Sequence, residues 1–244
     1  MDVKSSRPWL HAHRGASFDR PENTLAAFQL GLEQGADGIE VDVHASSDGV
    51  PMVIHDADLS RTTDRIGLVT ALTAAEIGQA DAGAAWGTAP NGVNRVPRLA
   101  DVIEILPVGR GLVIDVKDPR AVAAIIDLLE HRPDASHSVR LISFLPEAIS
   151  AARQIAPWLY TGLLLDVGDG LEAGMEAAAS RGHQAVVPFE ADLGEGDASR
   201  AIVRAASSRG LEVGTWVVNE RTRAEHLRSA GVAFLMSDVP ARLV

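Results

Sequence analysis

Four short stretches carry side chains able to do acid–base or metal chemistry: His13-Arg14-Gly15, Glu40-Val41-Asp42, His55-Asp56 and Asp115-Val116-Lys117. Glu40 and Asp42 are two apart, so on a strand both carboxylates leave the same face. Two inward carboxylates in an apolar strand are costly unless a cation accompanies them. Asp115 offers a third oxygen donor, and three carboxylates with waters suit one hard divalent ion, Mg²⁺, Ca²⁺ or Mn²⁺. The chain has no cysteine, which rules out a thiolate site. The same carboxylates also read as a hydrogen-bonded cluster with Lys117 and Arg14 as counter-ions. His13 and His55 together can serve as general acid and general base. Arg14 and Lys117 supply local positive charge that suits a phosphate oxyanion, or that neutralises the carboxylates.

These residues are far apart in sequence, so the fold must gather them. Short apolar runs recur at 9–13, 38–44, 112–117, 139–143, 160–165, 185–188, 212–218 and 233–236. Amphipathic segments follow at about 24–34, 99–106, 120–130, 146–155, 171–181, 197–209 and 220–229. Eight strands alternating with helices predict an α/β fold, a closed (β/α)8 barrel. A doubly wound open sheet would call for a Gly-rich first βα turn, which is absent. Barrel chemistry sits at the C-terminal ends of the strands, and each of the four stretches ends a strand.

One run breaks the alternation. Residues 50–55 follow the second strand after only five residues, including Asp48-Gly49, a hairpin signal. This run is expected antiparallel to the second strand. A two-residue turn puts His55 opposite Glu40 or Asp42, and a three-residue turn reverses the parity. Residues 45–98 then read as a small insertion within a single domain spanning 1–244, with a capping box at Thr73-Ala-Ala-Glu76. Other histidines carry less. His11 reads as a barrel-interior residue with a hydrogen-bond partner and His44 as a solvated hairpin-edge residue. His131, His137, His183 and His226 follow no pattern.

The formal net charge of −11 argues against a nucleic-acid partner. No stretch is long and apolar enough for membrane insertion, and a cytoplasmic setting is the default expectation. Oligomeric state is not legible.

The opening block, His13-Arg14-Gly15 followed by Pro21-Glu22-Asn23-Thr24, resembles the glycerophosphodiester phosphodiesterases. So do Glu40-Val-Asp42-Val43, Asp48-Gly49-Val-Pro51-Met-Val-Ile-His55-Asp56 and Leu59-Ser-Arg61-Thr62-Thr63. Fainter echoes run on through Thr215-Trp216-Val-Val-Asn219 and Ser237-Asp238-Val-Pro240. The resemblance implies a (β/α)8 barrel and hydrolysis of glycerophosphodiesters to an alcohol and sn-glycerol 3-phosphate. It implies His13 and His55 as the acid–base pair and Arg14 as a phosphate ligand, with Lys117 nearby. It implies Glu40, Asp42 and Asp115 as ligands of a divalent metal, and Glu22 in the first loop beside the site. The family usually has Glu where this chain has Asp115, one methylene shorter. Phe144 and Trp216 either line the leaving-group side or belong to the core. Competing readings are a phospholipase D-like enzyme on lysophospholipids, which needs an apolar groove, and an idle phosphodiester-binding barrel. A metal-dependent sugar isomerase or aldolase barrel would not need both histidine motifs.

Overall fold

A computed structural model of the chain describes residues 9–86, 94–132 and 138–244. Residues 87–93 of the expected insertion and His137 lie outside the described residues.

Eight parallel strands close into a barrel: β1 (Trp9–His13), β2 (Gly38–Ala45), β4 (Gly111–Val116), β5 (Val139–Ser143), β6 (Tyr160–Leu164), β7 (Ala185–Val187), β8 (Glu212–Thr215) and β9 (Phe234–Ser237). The closing seam is β1, which pairs with β2 on one side and β9 on the other. All seven expected helices are present: α1 (Leu25–Glu33), α3 (Leu99–Ile105), α4 (Val122–Glu130), α5 (Pro146–Ile155), α6 (Leu171–Ser180), α7 (Asp197–Ser208) and α8 (Arg221–Ala230). Outward strand residues such as Ile39, Val41, Val43, Ile114 and Leu141 form the main core with helix residues such as Phe28, Ile125 and Ile149. A smaller core of Val113, Ile142, Leu164, Val187, Phe234 and Met236 fills the barrel interior. Period-2 alternation therefore sorts each strand into a helix-facing and an inward set.

The segment between β2 and α3 has a separate apolar cluster built on Met52, Ile54, Leu59, Val69 and Ile77. Its helix α2 (Ala74–Ile77) begins with the expected capping box. Glu76 N donates to Thr73 Oγ1 at 3.3 Å, and Thr73 N donates to Glu76 Oε2 at 2.8 Å. The antiparallel strand β3 (Pro51–Val53) pairs Val43 with Val53 and Ala45 with Pro51. Ser46 N donates to Val50 O, leaving a three-residue turn with Gly49 at φ +80°. That turn reverses the parity, so His55 is not ladder-paired with Glu40 or Asp42. The strand ends at Val53, and the chain beyond it bends towards the barrel mouth. The seam explains the space it uses. β1 pairs with β2 only as far as Glu40, and β3 takes over the vacated upper edge.

The barrel floor departs from expectation. His11 is fully buried, yet neither ring nitrogen finds a hydrogen-bond partner in the protein. Its ring fits beside Gly111 because that residue has no side chain. A Cβ on Gly111 would lie 2.7 Å from His11 Nε2. Trp9 stacks on His11 and Phe234 meets its face edge-on. Burial, and after it the Arg140 guanidinium, holds its pKa well below 6.5. The unfolded chain thus binds a proton here more readily than the folded one. Stability is unpenalised above about pH 6.5 and falls as the pH drops below it, by at most about 1.4 kcal/mol per pH unit. His11→Leu is expected to resist acid better than wild type, with no such advantage at pH 8. Urea midpoints at pH 5 and pH 8 check this.

Candidate active site

The tip of β1 is shaped by backbone geometry that few residues adopt. Gly15 has φ +86°, and a Cβ there would lie 2.5 Å from the Ala27 carbonyl carbon. Arg14 (φ +55°) and Asn23 (φ +56°) are left-handed without being glycine, a conformation that costs about 1–2 kcal/mol each. Hydrogen bonds to the neighbouring strand offset that strain. Arg14 N donates to Glu40 Oε2 (2.9 Å), Asn23 N to Arg14 O (3.0 Å), and Asn23 Nδ2 to Asp42 Oδ2 (2.8 Å). The loop is stitched to the two carboxylates of β2, and Thr24 caps the helix that follows.

Glu40, Asp42 and Asp115 are buried, with ligand oxygens all within 4.8 Å of one another. Asp42 and Asp115 are directly paired across β2 and β4. Lys117 Nζ lies 3.1 Å from Asp42 Oδ1 and bonds Asp115 Oδ2, while Arg14 Nε lies 3.1 Å from Asp42 Oδ2. Burial disfavours charge on all three carboxylates. At Asp42 the Lys117 and Arg14 charges win, and its pKa falls far below the carboxylate range. At Glu40, burial and then repulsion from Asp42 push it up to about 7. At Asp115, burial and repulsion from Asp42 outweigh Lys117 and push it up to about 6. Asp115 Oδ1 is buried without a hydrogen-bond partner. Three oxygen donors, one of them orphaned and two of them reluctant to ionise alone, fit a hard divalent cation.

Each histidine rests on a carboxylate, but the two carboxylates differ. His13 Nδ1 lies 2.7 Å from Asp238 Oδ1. Asp238 otherwise takes neutral donors, Ser17 Oγ at 3.0 Å and Asn219 Nδ2 at 2.8 Å. Burial opposes charge on His13, yet Asp238 and Glu40 outweigh it and its pKa is raised. His55 Nδ1 lies 2.6 Å from Asp56 Oδ1, but the Arg61 guanidinium also binds Asp56. Burial lowers the His55 pKa, and Arg14 and Lys117 add to this against Asp42 and Asp56. His44, expected in solvent, is buried, with Nε2 2.9 Å from the His55 carbonyl. It is placed to fix the backbone that carries His55.

A cavity of about 310 Å³ is lined by His13, Arg14, Glu40, Asp42, His55, Asp115 and Lys117 on one side and by Phe144, Trp216 and Asp166 on the other. Phe144 and Trp216 meet edge to face at 5.5 Å, and Lys117 Nζ lies 5.4 Å from the Phe144 ring centre. Both aromatics line the cavity and also pack against the interior core. Glu22 does not line it. Its oxygens bind Arg14 (3.0 Å) and Arg61 (2.8 and 2.9 Å), so it stands behind Arg14. Sequence reasoning missed Asp238, Asp166 and Arg61 as site residues. The first two end strands, the signal that located the others.

Barrels of this kind do their chemistry at the C-terminal mouth, and this cavity opens there: the protein is a (β/α)8-barrel enzyme. The particular family follows from comparison. The chain belongs to the glycerophosphoryl diester phosphodiesterase family, whose model matches residues 13–242. It is 32% identical over 238 residues to a glycerophosphodiester phosphodiesterase of Caldanaerobacter subterraneus, covering 96% of this chain and 95% of the relative. It superimposes with TM-score 0.86, at 28% identity, on an Oleispira antarctica phosphodiesterase in complex with the product sn-glycerol-3-phosphate, covering 97% and 95% of the two chains. A glycerophosphodiester phosphodiesterase from Agrobacterium tumefaciens matches with TM-score 0.82 and 28% identity, over 97% and 98% of the chains. No helix among the described residues is long and apolar enough to cross a membrane.

Proposed function

We propose that the chain hydrolyses glycerophosphodiesters to an alcohol and sn-glycerol 3-phosphate, dependent on one divalent cation, with His13 as general acid and His55 as general base. The observation that carries this reading is the pair of carboxylate-backed imidazoles lining one cavity with Arg14, Lys117 and the three carboxylates. Arg14 and Lys117 bind the non-bridging phosphate oxygens and favour the charge that builds on them in the transition state. Glu40, Asp42 and Asp115 hold the cation, which, when bound, adds positive charge beside those oxygens. His55, kept neutral, takes the proton of the nucleophile, whether water or a vicinal hydroxyl of the substrate. His13, whose protonated form Asp238 favours, donates to the departing alkoxide. Environments that push two titrating groups apart support this division of roles.

The far side of the cavity supports a cationic alcohol such as choline or ethanolamine as leaving group. Phe144 and Trp216 offer aromatic surface, and Asp166 offers a carboxylate whose Oδ1 accepts from Val167 N (2.7 Å). The test is release of glycerol phosphate from glycerophosphocholine and from glycerophosphoglycerol, after chelation and then with Mg²⁺, Ca²⁺ or Mn²⁺ restored. Metal-restored release is expected from both. Asp166→Asn is expected to raise KM for the choline diester by about tenfold and to leave the glycerol diester nearly unchanged. No release with any of the three metals would remove the reading. Equal effects of Asp166→Asn on both diesters would remove only the head-group assignment.

A further inference from the structure

The insertion sends one side chain back to the active site. Arg61 donates from Nε to Asp56 Oδ2 (2.5 Å) and from Nη2 to Asp56 Oδ1 (3.3 Å). It also donates from Nη1 and Nη2 to Glu22 Oε2 (2.9 Å) and Oε1 (2.8 Å). Asp56 is the carboxylate that holds His55, and Glu22 is the carboxylate that holds Arg14. A continuous chain of ion pairs, Arg14–Glu22–Arg61–Asp56, ending in the Asp56–His55 hydrogen bond, thus joins two cavity-lining residues on different loops.

We propose that Arg61 is a positioning residue that sets His55 and Arg14 together, and that delivering it is the insertion's part in catalysis. The proposal rests on the function argued above. Its turn is built to hold still. Leu59 is buried in the insertion's own core, and Thr63 closes the turn with N and Oγ1 both donating to Leu59 O (3.1 and 2.8 Å). The guanidinium is about half exposed, a setting in which a lone ion pair adds little stability. Here, however, one planar fork engages two carboxylates at once, which an ammonium cannot reproduce. Without it, Glu22 and Asp56 face each other as like charges, and the two loops lose their common tie.

The experiment compares wild type, Arg61→Gln and Arg61→Lys, with Arg65→Gln as a matched loss of charge in the same insertion. Melting temperatures first establish that all are folded. Arg61→Gln is expected to lower kcat on the order of ten- to a hundredfold, the scale of a small misplacement of reacting groups. Arg61→Lys should recover only part of that loss, and Arg65→Gln should lose none. A second readout needs no substrate: the Nδ1 proton of His55, hydrogen-bonded to Asp56, is expected to give an NMR resonance that is lost or broadened in Arg61→Gln. A folded Arg61→Gln with unchanged resonance and unchanged kcat overturns the proposal, as does full recovery by lysine. If wild type turns over no phosphodiester while the resonance still depends on Arg61, the functional reading fails and the tie between the loops stands.

Discussion

Alanine at His13 or at His55 is expected to lower kcat by about 10²–10⁴-fold, the range for loss of one general acid or base. Both side chains are partly exposed at the cavity, so the melting temperature should change little. The double variant should be little worse than the poorer single one, because the two groups act in one transition state. The pH profile separates them. His55 must be neutral and its pKa is depressed, so activity should rise with pH on an acid limb below about 6.5. His13 must be protonated and its pKa is raised, so activity should fall on an alkaline limb above about 6.5. Asp238→Asn removes the negative charge that favours protonated His13, so the alkaline limb should move to lower pH while the acid limb stays. Measuring kcat/KM against pH for these variants checks the division. Near-wild-type turnover in either alanine variant would end the two-histidine account.

The second large effect concerns Glu40, Asp42 and Asp115, where activity and metal-free stability should move in opposite directions. Glu40 titrates near 7 in the folded chain and has an ordinary value of 4.5. Between those values the folded state binds more protons than the unfolded one, so metal-free stability falls as pH rises from 4.5 to 7. Glu40→Gln keeps an acceptor for Arg14 N and removes the charge. It is expected to raise the metal-free melting temperature at pH 8 by several degrees and to lower activity by at least about a hundredfold. Mg²⁺, Ca²⁺ or Mn²⁺ should raise the wild-type melting temperature at pH 8, and less at pH 5, where protons compete for the same oxygens. The Gln variant should lose most of that response. Thermal scans with and without cation decide it, and a wild-type melting temperature indifferent to all three ions at pH 8 would contradict the metal assignment.

Much of the barrel was legible because short apolar runs alternate with amphipathic stretches along the chain. Each apolar run became a strand, and each amphipathic stretch became the helix covering it. The antiparallel run after Asp48-Gly49 was legible from turn chemistry, but its parity was not. One extra turn residue flips every side chain, and the pairing Ser46–Val50 that decides the count leaves little mark in the sequence. His44 was misread because a hairpin edge is normally wet, whereas here the ring is buried with Nε2 2.9 Å from the His55 carbonyl. His11 was expected to find a partner, yet the space left by Gly111 holds the ring without one. Asp238 and Asp166 ended strands, as did the residues chosen, but they lie beyond the strongest motifs. Arg61 was hardest, since nothing in its spacing says that a turn in the insertion points back at Asp56 and Glu22.

His13 and Asp238 are 225 positions apart, at the ends of the first and last strands of the barrel. The imidazole proposed as the acid therefore gains its carboxylate only when β9 closes against β1. A chain emerging from the ribosome carries every other charged residue of the site well before it carries Asp238, the partner of His13. Regain of activity during refolding should then lag behind regain of helical signal and coincide with seam closure. With His13 as the proposed acid, turnover should wait for the seam.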